Sequence, residues 1–121
     1  RVADALLADA TRAAARFKLA VHVLPASLRS LARRGVAVKV YCSRACDLQI
    51  TLSVRRGGRT VALARYEETE TQLPRPHSVL HLRLPRRALR ALRAGGRLSL
   101  RFRATDAASE RRSAAAAVLV G

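Results

Sequence analysis

Cys42 and Cys46 are the two cysteines of the chain, set with three residues between them in the stretch VYCSRACDLQI, residues 40–50. Thiols this close can hold a metal, exchange disulfides, or staple the backbone. A zinc site needs about four ligands, and no second cysteine pair exists. A thioredoxin-like site calls for C-x-x-C in a βαβ setting, and neither the spacing nor the flanking pattern fits it. Both cysteines share the parity of the apolar residues in their own segments, Val36, Val38 and Val40 on one side and Leu48, Ile50 and Leu52 on the other. They therefore point inward at the joint between two strands. The joint is either a tight hairpin or a corner between sheets, and in both cases a disulfide can close. Such a small ring is worth about 2 kcal/mol in the chain-entropy picture. The alternative is a pair of reduced, buried thiols acting as small hydrophobes.

The other reactive side chains give weaker patterns. HSVLH places His77 and His81 four apart, within a segment between Pro76 and Pro85 that reads as a strand. On a strand these two lie about 13 Å apart, too far to share an ion, and His22 stands alone. Glu67, Glu68 and Glu70 cluster in EETETQLPRPH, residues 67–77, which reads as an exposed loop. Pairing with arginines is the expectation for them, since calcium needs six to eight oxygens. Asp106 reads as a turn former through its own side chain. RRGGR, residues 55–59, is a hairpin turn and not the strand-to-helix junction of a phosphate loop. The sequence thus assigns no catalytic residue, no metal site and no cofactor, and the expectation is a protein that is not an enzyme.

Arginine is the remaining chemistry. The net charge is +16, from 24 Lys and Arg against 8 Asp and Glu. This balance favours polyanionic partners, although an arginine- and alanine-rich composition spread along the whole chain also follows from a GC-rich genome. Arg97, Arg101 and Arg103 share one strand face. Arg83 and His81 lie on another, Arg16 and Lys18 on a third, and Arg86, Arg87, Arg90 and Arg93 on a short helix. If the strands share a sheet, their outer sides make a basic surface for cell-wall polymer, acidic polysaccharide or nucleic acid, bound through counterion release. Nucleic acid is disfavoured by the scarcity of aromatic residues, 3%, since single-strand binding relies on base stacking.

The elements that carry these residues follow from periodicity. Residues 1–15 are rich in alanine and leucine and read as a helix or a linker. They lack the long apolar run of a signal peptide. The domain is expected over residues 16–121. Phe17, Leu19, Val21 and Val23 alternate as a strand. Ser27 caps a short helix ended by Gly35. Residues 36–42 and 46–54 alternate next, and Gly57–Gly58 turns the chain into a return strand over residues 60–66 with Val61 and Leu63 inward. Residues 79–84 form a strand, and a helix beginning at Pro85 and stopping at Gly95 puts Leu89 and Leu92 toward the core. Leu98, Leu100, Phe102 and Ala104 mark the next strand. After a turn at residues 105–110, residues 111–120 form the last, with an alanine run that leaves its facing open. With so few aromatics the core is expected to consist of Leu, Val, Ile and Ala. The sum is an all-β, antiparallel sandwich of about seven strands with two short crossover helices; the alternative, a ferredoxin-like α+β fold, needs longer helices than these caps permit. No stretch reaches the roughly 18 apolar residues of a membrane span, so no membrane insertion is expected.

The segments SLRSLARRGVAVKVYCSRACDLQITL and LRLPRRALRALRAGGRLSLRFRATDAASERR resemble arginine- and alanine-rich immunoglobulin-like or fibronectin type III-like modules of secreted and cell-surface proteins in GC-rich bacteria. The shared features are a helix followed by Gly-Val before a strand, Cys-x-x-x-Cys, a Leu-Pro-x-x-Ala-Arg-like helix and a Thr-Asp-Ala-Ala turn. The likeness spans about Phe17–Val120. Members usually end that turn with Gly-Asn, where this chain has Ser109 and Glu110. The resemblance implies an extracellular accessory module without catalytic residues, working beside other domains or subunits of a surface assembly. A disulfide would agree with that address, outside the reducing cytoplasm. The functional expectation is a non-catalytic structural, adhesion or assembly module, with polyanion binding by the arginine faces as the alternative.

Overall fold

A computed structural model describes residues 16–71 and 79–121. In chain order the elements are β1 (Leu19–Val23), α1 (Leu28–Arg34), β2 (Val36–Cys42), β3 (Cys46–Arg56), β4 (Arg59–Thr71), β5 (Val79–Leu82), α2 (Arg86–Arg93), β6 (Arg97–Asp106) and β7 (Arg111–Ala117). The strands form two antiparallel sheets, one of order β1-β2-β5 and one of order β4-β3-β6-β7. The architecture is an all-β sandwich of seven strands with two short helices. α1 sits between two strands of one sheet, whereas α2 carries the chain from the first sheet to the second.

Strict alternation makes the sandwich. Val36, Val38, Val40 and Cys42 from one sheet are buried against Cys46, Leu48, Ile50 and Leu52 from the other, and β6 adds Leu98, Leu100, Phe102 and Ala104. The core is not purely aliphatic as its composition suggests, because Phe17 and Phe102 are its largest fully buried side chains. Burying apolar area of this kind contributes about 25 cal/mol per Å². The alanine run of β7 is oriented by pairing: Ala114 lies opposite Phe102 and Ala116 opposite Leu100, so both pack on the core.

The turns follow their residue chemistry. The side chain of Ser27 accepts a hydrogen bond from the Ser30 N–H at 3.1 Å and caps α1. Gly35 ends α1 at φ 81°, and a Cβ there would fall on the Leu82 carbonyl oxygen of the neighbouring strand. Gly57 and Gly58, at φ 58° and 79°, supply the two positive values of a tight hairpin. Past β7, the Ala26 N–H donates to the Leu119 carbonyl at 3.2 Å and the Gly121 N–H to that of Ala26 at 3.0 Å. These bonds pin the end of the chain beside the segment that leads into α1.

Two expectations for β4 change. Residues 67–71 belong to β4 rather than to a loop. β3 is 11 residues long and offers partners down to Cys46, so pairing continues through Glu67, Glu68 and Thr71. Charged side chains on such an edge strand also discourage pairing with other chains. A register shift between Leu52 and Ser53 moves the inward face of β4. Leu63 reaches the core, but Val61 stays 49% exposed and Ala64 and Tyr66 take the other packing positions. In α2, Leu89 and Leu92 pack half-buried against the core as expected, and Ala88 beside them is fully buried. The expected helix or linker of residues 1–15, and His77 with the rest of the expected loop, lie outside the described residues.

Candidate functional site

Cys42 ends β2 and Cys46 opens β3, and these strands belong to different sheets. The joint is therefore a corner, and the two residues are linked by a disulfide across a Cα–Cα distance of 6.4 Å. Both are buried. The three residues between them are tied down on two sides. Ser43 exchanges two bonds with Lys18: its N–H donates to the Lys18 carbonyl at 2.9 Å, and its hydroxyl accepts from the Lys18 N–H at 2.7 Å. Arg44 reaches the other sheet and donates to Asp106 Oδ2 at 2.8 Å, with Glu110 Oε2 at 3.5 Å.

Asp106 is the buried polar residue of the described core. It lies opposite Cys46 in the register of β3 and β6, which turns its side chain inward. Its Oδ1 accepts from the Ala108 N–H at 3.0 Å and the Glu110 N–H at 2.8 Å, which closes the β6–β7 turn as its residue type suggested. Burial opposes ionisation of this carboxyl. The Glu110 N–H, the Arg44 guanidinium and the Ala108 N–H outweigh it and hold the pKa below its ordinary value. Arg112 completes the clamp by donating to Glu110 Oε1 at 2.9 Å. No local pattern marks Arg44. Only the long-range register of β3 and β6 brings it to Asp106.

The second arrangement covers the outer face of the four-stranded sheet. In the cross-strand rows, Arg65 and Arg101 flank Thr51, Glu67 and Arg103 flank Gln49, and Ser99 lies opposite Ser53. These side chains line a shallow trough of about 410 Å³. Arg101 and Arg103 are two apart on one strand, so their Cα atoms are about 7 Å apart, and Arg65 is two strands from Arg101, about 10 Å away. Among the described residues, no hydrogen bond or ion pair engages Arg65, Arg101 or Arg103. The aromatic residue of the trough is Tyr66. Its ring is half-buried against the core and its hydroxyl donates to the Arg83 carbonyl. Burial raises its pKa.

The arginines marked from sequence do not form one surface. Arg97, Arg101 and Arg103 share the outer face of the four-stranded sheet, and Arg97 stands directly opposite Arg55. Arg83 follows β5 of the other sheet, as Arg16 and Lys18 precede its β1. Arg86 and Arg90 lie on α2, where Arg90 borders a separate hollow of about 320 Å³ together with Arg56 and Arg87. Arg87 donates to the Leu63 carbonyl at 3.2 Å. Arg65 was missed, although its alternation with Glu67 on a return strand was a usable signal. His22 and His81 lie on the outer face of the three-stranded sheet, opposite Lys39 and Ala37. No group of three or more potential metal ligands occurs among the described residues. No helix among them is long and apolar enough to cross a membrane.

The chain matches no protein-family model, no curated protein and no solved structure. Its function is therefore argued from this geometry.

Proposed function

We propose that this protein is a non-catalytic, immunoglobulin-like or fibronectin type III-like module of a secreted or cell-surface bacterial protein, serving structure, adhesion or assembly beside other domains or subunits. The observation that carries this reading is the buried Cys42–Cys46 disulfide at the corner between the sheets. Such bonds persist in oxidising compartments and are rare in the cytosol. Of the two named folds the fibronectin type III-like one fits better. β4 pairs with β3, in the sheet of β6 and β7, and does not join β1, β2 and β5; the immunoglobulin constant pattern puts its fourth strand in the opposite sheet. The test is intact mass with and without reduction before alkylation, on protein taken from its native host. Protection of both thiols until reduction supports the reading. Two alkylated thiols without reductant overturn it.

A second reading, binding of a polyanion, is favoured by the unpaired arginines of the trough. Its test is binding of anionic polymers at low ionic strength, weakening steeply as salt is added. Absence of binding to every anionic polymer tried there rejects it.

A further inference from the structure

We infer that the trough on the outer face of the four-stranded sheet seats an acidic polysaccharide. Arg65, Arg101 and Arg103 hold its anionic groups, and Thr51, Ser53 and Ser99 meet its hydroxyls. The inference rests on the polyanion reading and adds the place and the chemical class.

Charge places the ligand here. The three guanidinium groups stand on neighbouring rows of one rigid sheet with no partner among the described residues. A guanidinium presents a planar fork of donors to a carboxylate or sulfate. The strands fix the spacing of their backbones, so the forks converge on one trough when an anion arrives. Arg87 and Arg90 of α2 line a separate hollow, and no residue of α2 lines the trough.

The remaining lining selects sugar over nucleic acid. Hydroxyls of Thr51, Ser53 and Ser99, with the Gln49 amide, supply both donors and acceptors between the arginines. Glu67 lies in the same row as Arg103. A carboxylate there accepts from sugar hydroxyls, which the backbone of a DNA strand does not offer. Single-stranded nucleic acid binds on aromatic faces, and the trough's Tyr66 has its ring against the core and its hydroxyl engaged.

The experiment titrates the whole chain calorimetrically, at low and rising salt, with oligogalacturonate, neutral dextran and oligodeoxythymidylate. Oligogalacturonate is expected to bind, neutral dextran not to bind, and oligodeoxythymidylate to bind at least about tenfold more weakly at matched charge. Arg101→Gln with Arg103→Gln should cost about tenfold or more in oligogalacturonate affinity and reduce the salt slope by about two. Arg86→Gln with Arg90→Gln removes the same charge from α2 and should change affinity by less than about threefold. Ser53→Ala with Ser99→Ala should lower affinity and leave the salt slope unchanged. Equal losses from the helix and trough pairs would overturn the site, while leaving polyanion binding standing. Tighter binding of oligodeoxythymidylate, or an unchanged affinity in the serine pair, would overturn the sugar class. Failure of both anionic probes to bind at low salt would reject the polyanion reading itself and this inference with it.

Discussion

Reducing the Cys42–Cys46 bond should cost about 2 kcal/mol and leave the fold intact. The ring it closes is short, with a sequence separation of 4. The chain-entropy relation then gives about 6–7 cal/mol/K of restricted unfolded-state entropy, or about 2 kcal/mol at 25 °C. The native side should change little. Both residues are buried, so free thiols would remain packed as small hydrophobes. The loop between them would still be held by Ser43 on Lys18 and Arg44 on Asp106. For a domain of this size the loss corresponds to a fall in Tm of roughly 10 °C. The assay is urea unfolding followed by far-UV circular dichroism, in matched buffers with and without a phosphine reductant. A ring this small barely compacts the unfolded chain, so the m-value should not move. A loss below about 0.5 kcal/mol would refute the entropic reasoning. A loss above about 4 kcal/mol, or a lowered m-value, would mean that the corner itself comes apart without the bond.

Gly35→Ala should destabilise by more than about 2 kcal/mol in the same assay, because φ 81° and ψ −164° are a conformation held essentially by glycine and the added Cβ meets the Leu82 carbonyl oxygen. Ser109 occupies a left-handed conformation at φ 62°, so Ser109→Gly should stabilise by about 0.5–1 kcal/mol, seen as a rise in Tm; a fall in Tm would contradict this. Asp106 has its pKa lowered in the folded state, so its contribution is fully present above the unfolded carboxylate value and is lost as pH falls through the folded one. Thermal melts should therefore show the wild type losing stability below about pH 4, with a flatter acid limb in Asp106→Asn. Equal acid sensitivity in the two proteins would contradict this.

The sandwich was legible because its strands alternate without ambiguity. Leu48, Ile50 and Leu52 differ so sharply from Asp47, Gln49 and Thr51 that only one face can be buried. The same parity pointed Cys42 and Cys46 inward, but it left open whether their joint was a hairpin or a corner. That choice depends on which sheet each strand joins, and pairing partners far along the chain decide it. β4 was misread for a related reason. Glu67, Glu68 and Glu70 have low strand propensity in isolation, yet β3 continues alongside and draws the first two into the ladder. The bulge opposite Leu52 and Ser53 then shifts the inward parity of the strand, so that Ala64 and Tyr66 lie opposite Leu52 and Ile50, which no local pattern encodes. Arginines on alternating strands were easy to place on an outer face. The sheet to which each face belonged was not, so Arg83 and Arg101 were grouped although the fold separates them.

The distribution of acidic residues gives the arginine face its meaning. With 8 acidic residues against 24 basic ones, most cations cannot have a carboxylate of their own. Two of the eight, Asp106 and Glu110, are spent on Arg44 and Arg112 at the corner, where they fix the β6–β7 turn against the disulfide loop. That corner anchors the ends of β3 and β6, the two strands that carry Thr51, Ser53, Ser99, Arg101 and Arg103. The outer face therefore combines a rigid base with uncompensated charge, including Arg55 directly opposite Arg97, where like charges repel. An anion lying along β6 relieves this repulsion as it binds, so stability and binding are linked. Occupied protein must melt at a higher temperature than free protein, and the increment must shrink as salt screens the same charges.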